Sequence, residues 1–184
     1  MLPASTTNKE NSVRNNQRFI VASAGAALLA SSIAVAADMA MTMSPKDLKW
    51  GDAPPSLPKG AKLAVLSGDP GKAGPFVARL QVPASYKIPP HWHSTDEDLT
   101  VISGTFYFAE GDKMDTKAGH GMTAGSFHHL PAKTRHYAWS KGPAIVQINA
   151  SGPFDIVYVD PKDDPSKMAD MKPAMKDEKK AMKK

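Results

Sequence analysis

The sequence predicts an all-β fold of the sandwich or barrel type between residues 59 and 160. This part of the chain is a series of short apolar or alternating runs, which is typical of strands. Turn-forming residues separate the runs, and no stretch keeps the three-to-four-residue apolar repeat that a long helix needs. The predicted strands are residues 62–67, 76–82, 99–103, 105–109, 126–130, 136–139, 144–149 and 155–159. The predicted turns between them include 68–71, Pro89-Pro90 and 119–121.

Residues 1–36 have the three parts of a secretory signal peptide. Arg14 and Arg18 precede an uncharged stretch that ends in small residues at Ala36. We therefore expect cleavage near Ala36 and a periplasmic or secreted mature protein with no stable membrane insertion. An uncleaved anchor is the alternative, because the stretch carries no charge. A spanning helix, however, needs about 20 strongly apolar residues.

The remaining chain divides into three segments by composition. Residues 37–58 form a linker rich in Met and Pro, residues 59–160 form the folded domain, and residues 161–184 form a Lys- and Met-rich tail. The tail contains no leucine, isoleucine, valine or aromatic side chain. It cannot bury enough apolar surface to offset the entropy of ordering, so we predict that it is disordered.

The charge and cysteine content exclude two classes of protein. The chain carries a net charge of +5, but residues 37–160 hold as many acidic as basic side chains. Nucleic-acid binding needs a basic face on the domain itself, so we expect no nucleic-acid partner. The 184 residues include no cysteine, which excludes disulfides and thiol chemistry.

A His-x-His pair, His91 and His93, begins the part of the chain that carries chemistry. Residues two apart in an extended chain point to the same side, so both imidazoles can reach one ion. Glu97 lies at a further even offset and returns to that side if the chain stays extended, whereas its two acidic neighbours do not. A fourth ligand must come from elsewhere, and His136 on a later predicted strand is the natural candidate. Three neutral imidazoles and one carboxylate suit a first-row divalent ion and leave coordination positions open.

The spacing of these residues resembles the two sequence motifs of the cupins. The matching segments are His91-x-His93-x3-Glu97-x6-Gly104 for the first motif and Gly125-x5-Pro131-x4-His136 for most of the second. The ending Gly152-Pro-Phe-x-Ile-x-Tyr158 is similar to that of a group of small bacterial cupins.

This resemblance implies a double-stranded β-helix, or jelly-roll, barrel over residues 59–160 with disordered extensions at both ends. It implies that His91, His93, Glu97 and His136 hold one divalent transition metal, whether Fe, Mn, Ni, Zn or Cu. It also implies a small-molecule ligand, and the family includes many homodimers.

Three positions depart from the cupin motifs. Ser85 and Lys133 stand where the motifs have glycine, and Ser140 stands where the second motif has asparagine. We expect Lys133 to adopt a positive φ if its turn keeps the usual shape, a strain of about 1 kcal/mol.

The other histidines have simpler interpretations. His128 and His129 are adjacent on a predicted strand, so they point to opposite faces and at most one of them faces the interior. By default neither binds the metal. His120 lies between two glycines, and we predict that it belongs to a loop.

Two functions are consistent with this sequence. One is a metal-dependent oxygenase or isomerase acting on a small molecule through the open coordination positions. The other is a non-catalytic periplasmic module that binds a metal or a small ligand. Met39-x-Met41-x-Met43 and the methionines of the tail bear on the second, because thioether sulfur prefers Cu(I), although compositional bias also explains them.

Overall fold

Residues 40–167 are described by the computed structural model, and they form two antiparallel β-sheets that share a core. The predicted signal peptide and most of the predicted tail lie outside the described residues. The strands are β1 (Gly51–Asp52), β2 (Lys62–Ser67), β3 (Gly74–Val82), β4 (Lys87–Trp92), β5 (Glu97–Ser103), β6 (Thr105–Glu110), β7 (His120–Thr123), β8 (Phe127–Leu130), β9 (His136–Ser140), β10 (Ala144–Gly152) and β11 (Val157–Tyr158).

The strand order gives two facing layers. The six-stranded sheet has the order β1-β2-β3-β10-β5-β8, and the five-stranded sheet has the order β11-β4-β9-β6-β7. Every described strand pair is antiparallel. The all-β jelly-roll architecture predicted from the sequence is therefore confirmed.

The core forms where the alternating side chains of the two sheets meet. In β5, Leu99 and Val101 are buried while Asp98 and Thr100 are not, as expected for a strand with one face on the core. The shared cluster draws Leu80, Val82 and Val146 from the six-stranded sheet and Ile88, Phe106 and Ala138 from the five-stranded sheet.

The structure corrects the prediction that Pro89-Pro90 forms a turn. Both prolines lie inside β4, which pairs with β9 on one side and with β11 on the other. The register between β4 and β9 shifts between Ile88 and His91, at the position of the prolines. Proline has no N–H to donate, and strands accommodate it at such irregularities.

A second correction concerns His120, which was predicted to lie in a loop. It begins β7, an edge strand in which it pairs with Phe108 of β6. The strand is short and holds glycine, so its apolar pattern is too weak to recognise from the sequence.

The boundaries of the folded domain are also wider than predicted. Residues 51–58, assigned to the linker, include β1, and Leu57 packs against the core. After residue 160 the chain continues into a turn of 3-10 helix, Pro161–Asp163, where the disordered tail was predicted to begin. Within residues 40–167 no helix has the length and apolar character needed to cross a membrane.

Two of the positions that depart from the cupin motifs have left-handed backbone conformations. Lys133 has φ of 66°, as predicted, and Ser85 has φ of 60°. Both side chains are exposed, so the turns tolerate them without a steric conflict in the core. The backbone thus keeps the shape that glycine would favour, at about 1 kcal/mol per position.

Candidate metal centre

Three histidine rings meet inside the fold, at one end of β4. His91 on β4 lies directly opposite His136 on β9, and His93 follows immediately after β4 ends. The His91 ring centroid lies 4.2 Å from that of His136 and 5.0 Å from that of His93. One nitrogen from each ring lies within 4.8 Å of the others, and all three side chains are buried.

The tautomer of each ring is set by the backbone. Each Nδ1 lies within hydrogen-bonding distance of a main-chain carbonyl oxygen, which can accept only from an N–H. The pairs are His91 with Pro89 at 2.7 Å, His93 with Asp155 at 2.6 Å, and His136 with Thr134 at 2.9 Å. The proton therefore resides on Nδ1, and each Nε2 presents a lone pair, the arrangement that metal-ligating histidines show.

Burial also favours the neutral form of these rings. It is the largest cause that lowers the pKa of His91, His93 and His136, and in His91 the two neighbouring imidazoles lower the pKa further. Metal binding requires deprotonated imidazole nitrogen, so the three rings are ready to bind near neutral pH.

Glu97 approaches the three rings from the opposite sheet. It is the first residue of β5 and only 5% exposed, and its Oε2 lies 3.5 Å from His93 Nε2 and 3.9 Å from His136 Nε2. Two donors that bind one ion at about 2.1 Å lie roughly 3.0–3.5 Å apart, so the distance to His93 fits a shared ion and the distance to His136 slightly exceeds it. Among the described residues, the donors that all lie within 4.8 Å of one another are those of the three histidines, without Glu97. Burial raises the pKa of this carboxyl, and a bound cation would offset that effect.

Glu97 reaches the site, but not along the extended chain that the even offset assumes. The chain does not stay extended between His93 and Glu97. It bends after β4 and crosses to the other sheet, where β5 begins. The flanking acids point elsewhere: Asp96 accepts a hydrogen bond from the backbone N–H of Ala132, and Asp98 lies beside His129.

The three imidazoles and the carboxylate line one cavity of about 130 Å³. The rest of its lining is almost wholly apolar, and these four are the only titratable side chains in it among the described residues. It is lined further by Pro54, Ser56, Leu57, Leu63, Pro70, Phe76, Ala78, Leu80, Ile88, Leu99, Phe106, Phe108, Leu130, Ala138, Val146, Ile148, Phe154 and Ile156. A ligand in this cavity would be held by apolar contact, with polar contacts concentrated at the four donors.

Solved structures of similar shape share this architecture. The chain is similar to the polyketide cyclase RemF from Streptomyces resistomycificus, with 17% identity, a TM-score of 0.55, and coverage of 72% of this chain and 94% of that one. It is also similar to a proposed acetylacetone dioxygenase from Methylibium petroleiphilum PM1, with 17% identity, a TM-score of 0.51, and coverage of 67% and 84%. An RmlC-like cupin protein from Ralstonia eutropha JMP134 has 22% identity, a TM-score of 0.50, and coverage of 66% and 73%.

The chain has the cupin fold. At these identities the likeness establishes the fold alone. No family model matches the sequence, and no curated protein matches it. The role of the four side chains as metal ligands is supported by their geometry and stays a prediction.

The remaining histidines of the described residues lie outside the cavity lining. His128 faces inward from β8 with its ring 4.1 Å from that of Phe108, and its Nε2 is buried without a hydrogen-bond partner. His129 points to the surface, where its Nδ1 lies 2.7 Å from Asp98. The two adjacent rings face opposite sides, as the alternation along a strand predicts.

One group of contacts was not predicted from the sequence. In it, the loop between β10 and β11 contacts and orients His93. Besides the carbonyl that accepts from His93, the carboxylate of Asp155 accepts from the backbone N–H of Ser94 at 2.8 Å and from its hydroxyl at 2.6 Å. The ring of Phe154 stacks on His93 at 4.4 Å. The only signal in the sequence was the resemblance of the segment from Gly152 to Tyr158 to a known cupin ending.

We expect the substitution Asp155→Ala to weaken metal binding about tenfold, as outer partners of metal ligands commonly do. It keeps the carbonyl that accepts from His93 but removes the carboxylate that fixes the loop to Ser94. Competition with a chromogenic chelator measures Zn(II) affinity, and the visible spectrum of the Co(II) form reports on ligand geometry.

Asp115→Ala is the matched control, because Asp115 also accepts a backbone N–H, that of Lys117, but away from the cavity. Equal affinities and identical Co(II) spectra in the two variants would show that Asp155 does not position His93.

Proposed function

We propose that this cupin is a metal-dependent enzyme of the oxygenase or isomerase kind that acts on a compact small molecule. The observation that carries the proposal is the set of three buried imidazoles, each with Nδ1 held by a backbone carbonyl and Nε2 left as a donor at an apolar cavity. Metal binding explains this set better than packing of the core does, because burying a polar group without a partner costs free energy.

His91, His93 and His136 would hold the ion through Nε2, and Glu97 through its carboxylate. A divalent ion in this position would supply a Lewis acid for a carbonyl or enol, or a centre for O₂ chemistry. The chain itself orients the imidazoles, and its apolar lining excludes water from the reacting groups.

The size of the cavity supports a small substrate. A cavity of about 130 Å³ is comparable to one of roughly 150 Å³ that accepts benzene, and it is smaller than most ligand clefts. The neighbours named for polyketide cyclisation and for acetylacetone are consistent with ketone or enol substrates.

Metal analysis followed by oxygen uptake tests the proposal. We expect about one transition metal per chain, and oxygen consumption or isomerisation with small 1,3-diketones or enediols. In the same measurements the His128→Ala variant should behave like the unaltered protein, since His128 is a nearby inward-facing histidine outside the cavity lining. Fully loaded protein that turns over nothing in the panel would count against an enzyme.

One observation favours the second candidate, a non-catalytic binding module. The titratable side chains that line the cavity are all candidate ligands, so among the described residues the lining offers no separate acid or base. In addition, Met41 is 64% and Met43 36% exposed, as flexible Cu(I) ligands would be. Removing residues 39–43 and 161–184 should then weaken Cu(I) binding, and an unchanged affinity would exclude a role for these ends.

A further inference from the structure

A proline-rich segment between β1 and β2 forms one wall of the metal cavity. We call residues 53–58 the strap. Three of its residues, Pro54, Ser56 and Leu57, line the cavity, and Leu57 also packs against the core. Leu57 is the strap's one large flexible side chain in the lining.

Two tyrosine hydroxyl groups hold the strap in place. Tyr86 donates to the carbonyl oxygen of Pro58 at 2.5 Å, and Tyr158 donates to that of Ser56 at 2.6 Å. Both rings are buried, and burial raises the pKa of both phenols, so each stays a donor across the physiological range. Tyr158 also lies beside the cavity, with its ring 5.9 Å from that of His91.

The strap is stiff as well as tethered. Its three prolines restrict the backbone, and the N–H of Leu57 donates to the carbonyl of Pro54 at 2.9 Å. At its start the N–H of Ala53 donates to Ala61 at 3.2 Å. The strap is therefore a fixed wall of the cavity, and a larger ligand cannot displace it without breaking these hydrogen bonds.

We infer that the strap is a size filter and that Leu57 determines which ligands the metal cavity accepts. The ligand class is a compact molecule about the size of one benzene ring, apolar except for oxygen donors at one end, which face the four metal-binding side chains. This inference rests on the proposed metal site and adds the class of ligand and the residue that selects it.

Hydroxamic acids of increasing size test the filter, because the hydroxamate group binds divalent metals through two oxygens whatever its substituent. Titration calorimetry on the Zn(II)-loaded protein compares acetohydroxamate, benzohydroxamate and 2-naphthohydroxamate. We expect the wild-type protein to bind the naphthyl compound at least about tenfold more weakly than the phenyl compound, since a pocket rejects excess volume by such factors.

Two substitutions of Leu57 shift this preference in opposite directions. Leu57→Ala removes the isopropyl group and should improve binding of the naphthyl compound about tenfold, with acetohydroxamate unchanged. Leu57→Phe should weaken the phenyl compound about tenfold and spare acetohydroxamate. Lys59→Ala is the control, because Lys59 is exposed and next to the strap but does not line the cavity.

The outcomes separate the two proposals. If the wild-type protein does not bind acetohydroxamate at all, the metal site itself is wrong and the filter is overturned with it. If acetohydroxamate binds but all three compounds bind equally, or if both Leu57 variants keep the wild-type affinities for the phenyl and naphthyl compounds, the filter is overturned while the metal site stands. Tyr158→Phe gives a further check, since loosening the strap should improve naphthyl binding without altering any lining atom of Leu57.

Discussion

The variant His136→Ala is expected to lose its bound metal. The imidazole of His136 faces both His91 and Glu97, so its removal takes a donor from the centre of the set. The affinity should fall by more than about 100-fold, beyond the range seen when only an outer partner of a ligand is changed. Elemental analysis of protein from the native compartment measures this as a drop from about one metal per chain to a trace.

The control must show that the loss is specific to a ligand. His128→Ala also removes an inward-facing imidazole, and its neighbour Phe108 is shared with His136. It should keep its metal. A His136→Ala protein that is folded, as judged by circular dichroism, and still holds a full equivalent of metal would refute the assignment of the site.

The variant Gly104→Ala is expected to lower the free energy of unfolding by about 2–4 kcal/mol, the range of strongly destabilising substitutions. Gly104 connects β5 to β6 with φ of 75°. A Cβ added there would lie 2.3 Å from the carbonyl oxygen of Pro143 and 3.0 Å from Cα of Ala144. The backbone conformation and the lack of space thus both oppose a side chain.

Gly142→Ala is the matched control, in the neighbouring turn before β10. Its backbone does not have a positive φ, and a Cβ there would meet nothing within 4 Å. Its effect should stay within about 0.5 kcal/mol. Urea unfolding followed by fluorescence compares the two variants, and equal midpoints would show that the turn at Gly104 is free to adapt.

Much of the fold could be predicted because its strands alternate visibly. The predicted strand 62–67 coincides with β2, and the predicted strand 136–139 falls short of β9 by one residue. The strands that were missed carry weak patterns: β4 contains two prolines, β7 contains glycine, and β1 has two residues. Their pairing is decided by long-range contacts that a local pattern does not contain.

The candidate site was predictable for a different reason. The spacing of the cupin motifs identified Glu97, whereas the argument from even offsets assumed an extended chain that the structure does not have. Strand alternation can relate residues within one strand, but it cannot relate β4 to β5, since they belong to different sheets. Only the family pattern carries information about that crossing.

Almost none of the contacts that surround the site could be predicted from the sequence. The groups that orient the three imidazoles are backbone carbonyls, which every residue possesses, so no side-chain pattern marks Pro89, Thr134 or Asp155. The prolines of the strap are typical of a linker, so the sequence predicts a linker there. Its role depends on hydrogen bonds from Tyr86 and Tyr158, which lie far from it along the chain.

The four candidate donors come from different sheets, and this affects the stability of the fold. His91 and His136 belong to the five-stranded sheet, Glu97 belongs to the six-stranded sheet, and His93 lies on the connection between them. An ion bound to all four would therefore fasten one layer of the molecule to the other, in a chain that has no cysteine to form a covalent bridge. Resistance to heat would then rise with the free metal concentration, because a ligand that binds only the folded state stabilises it by mass action.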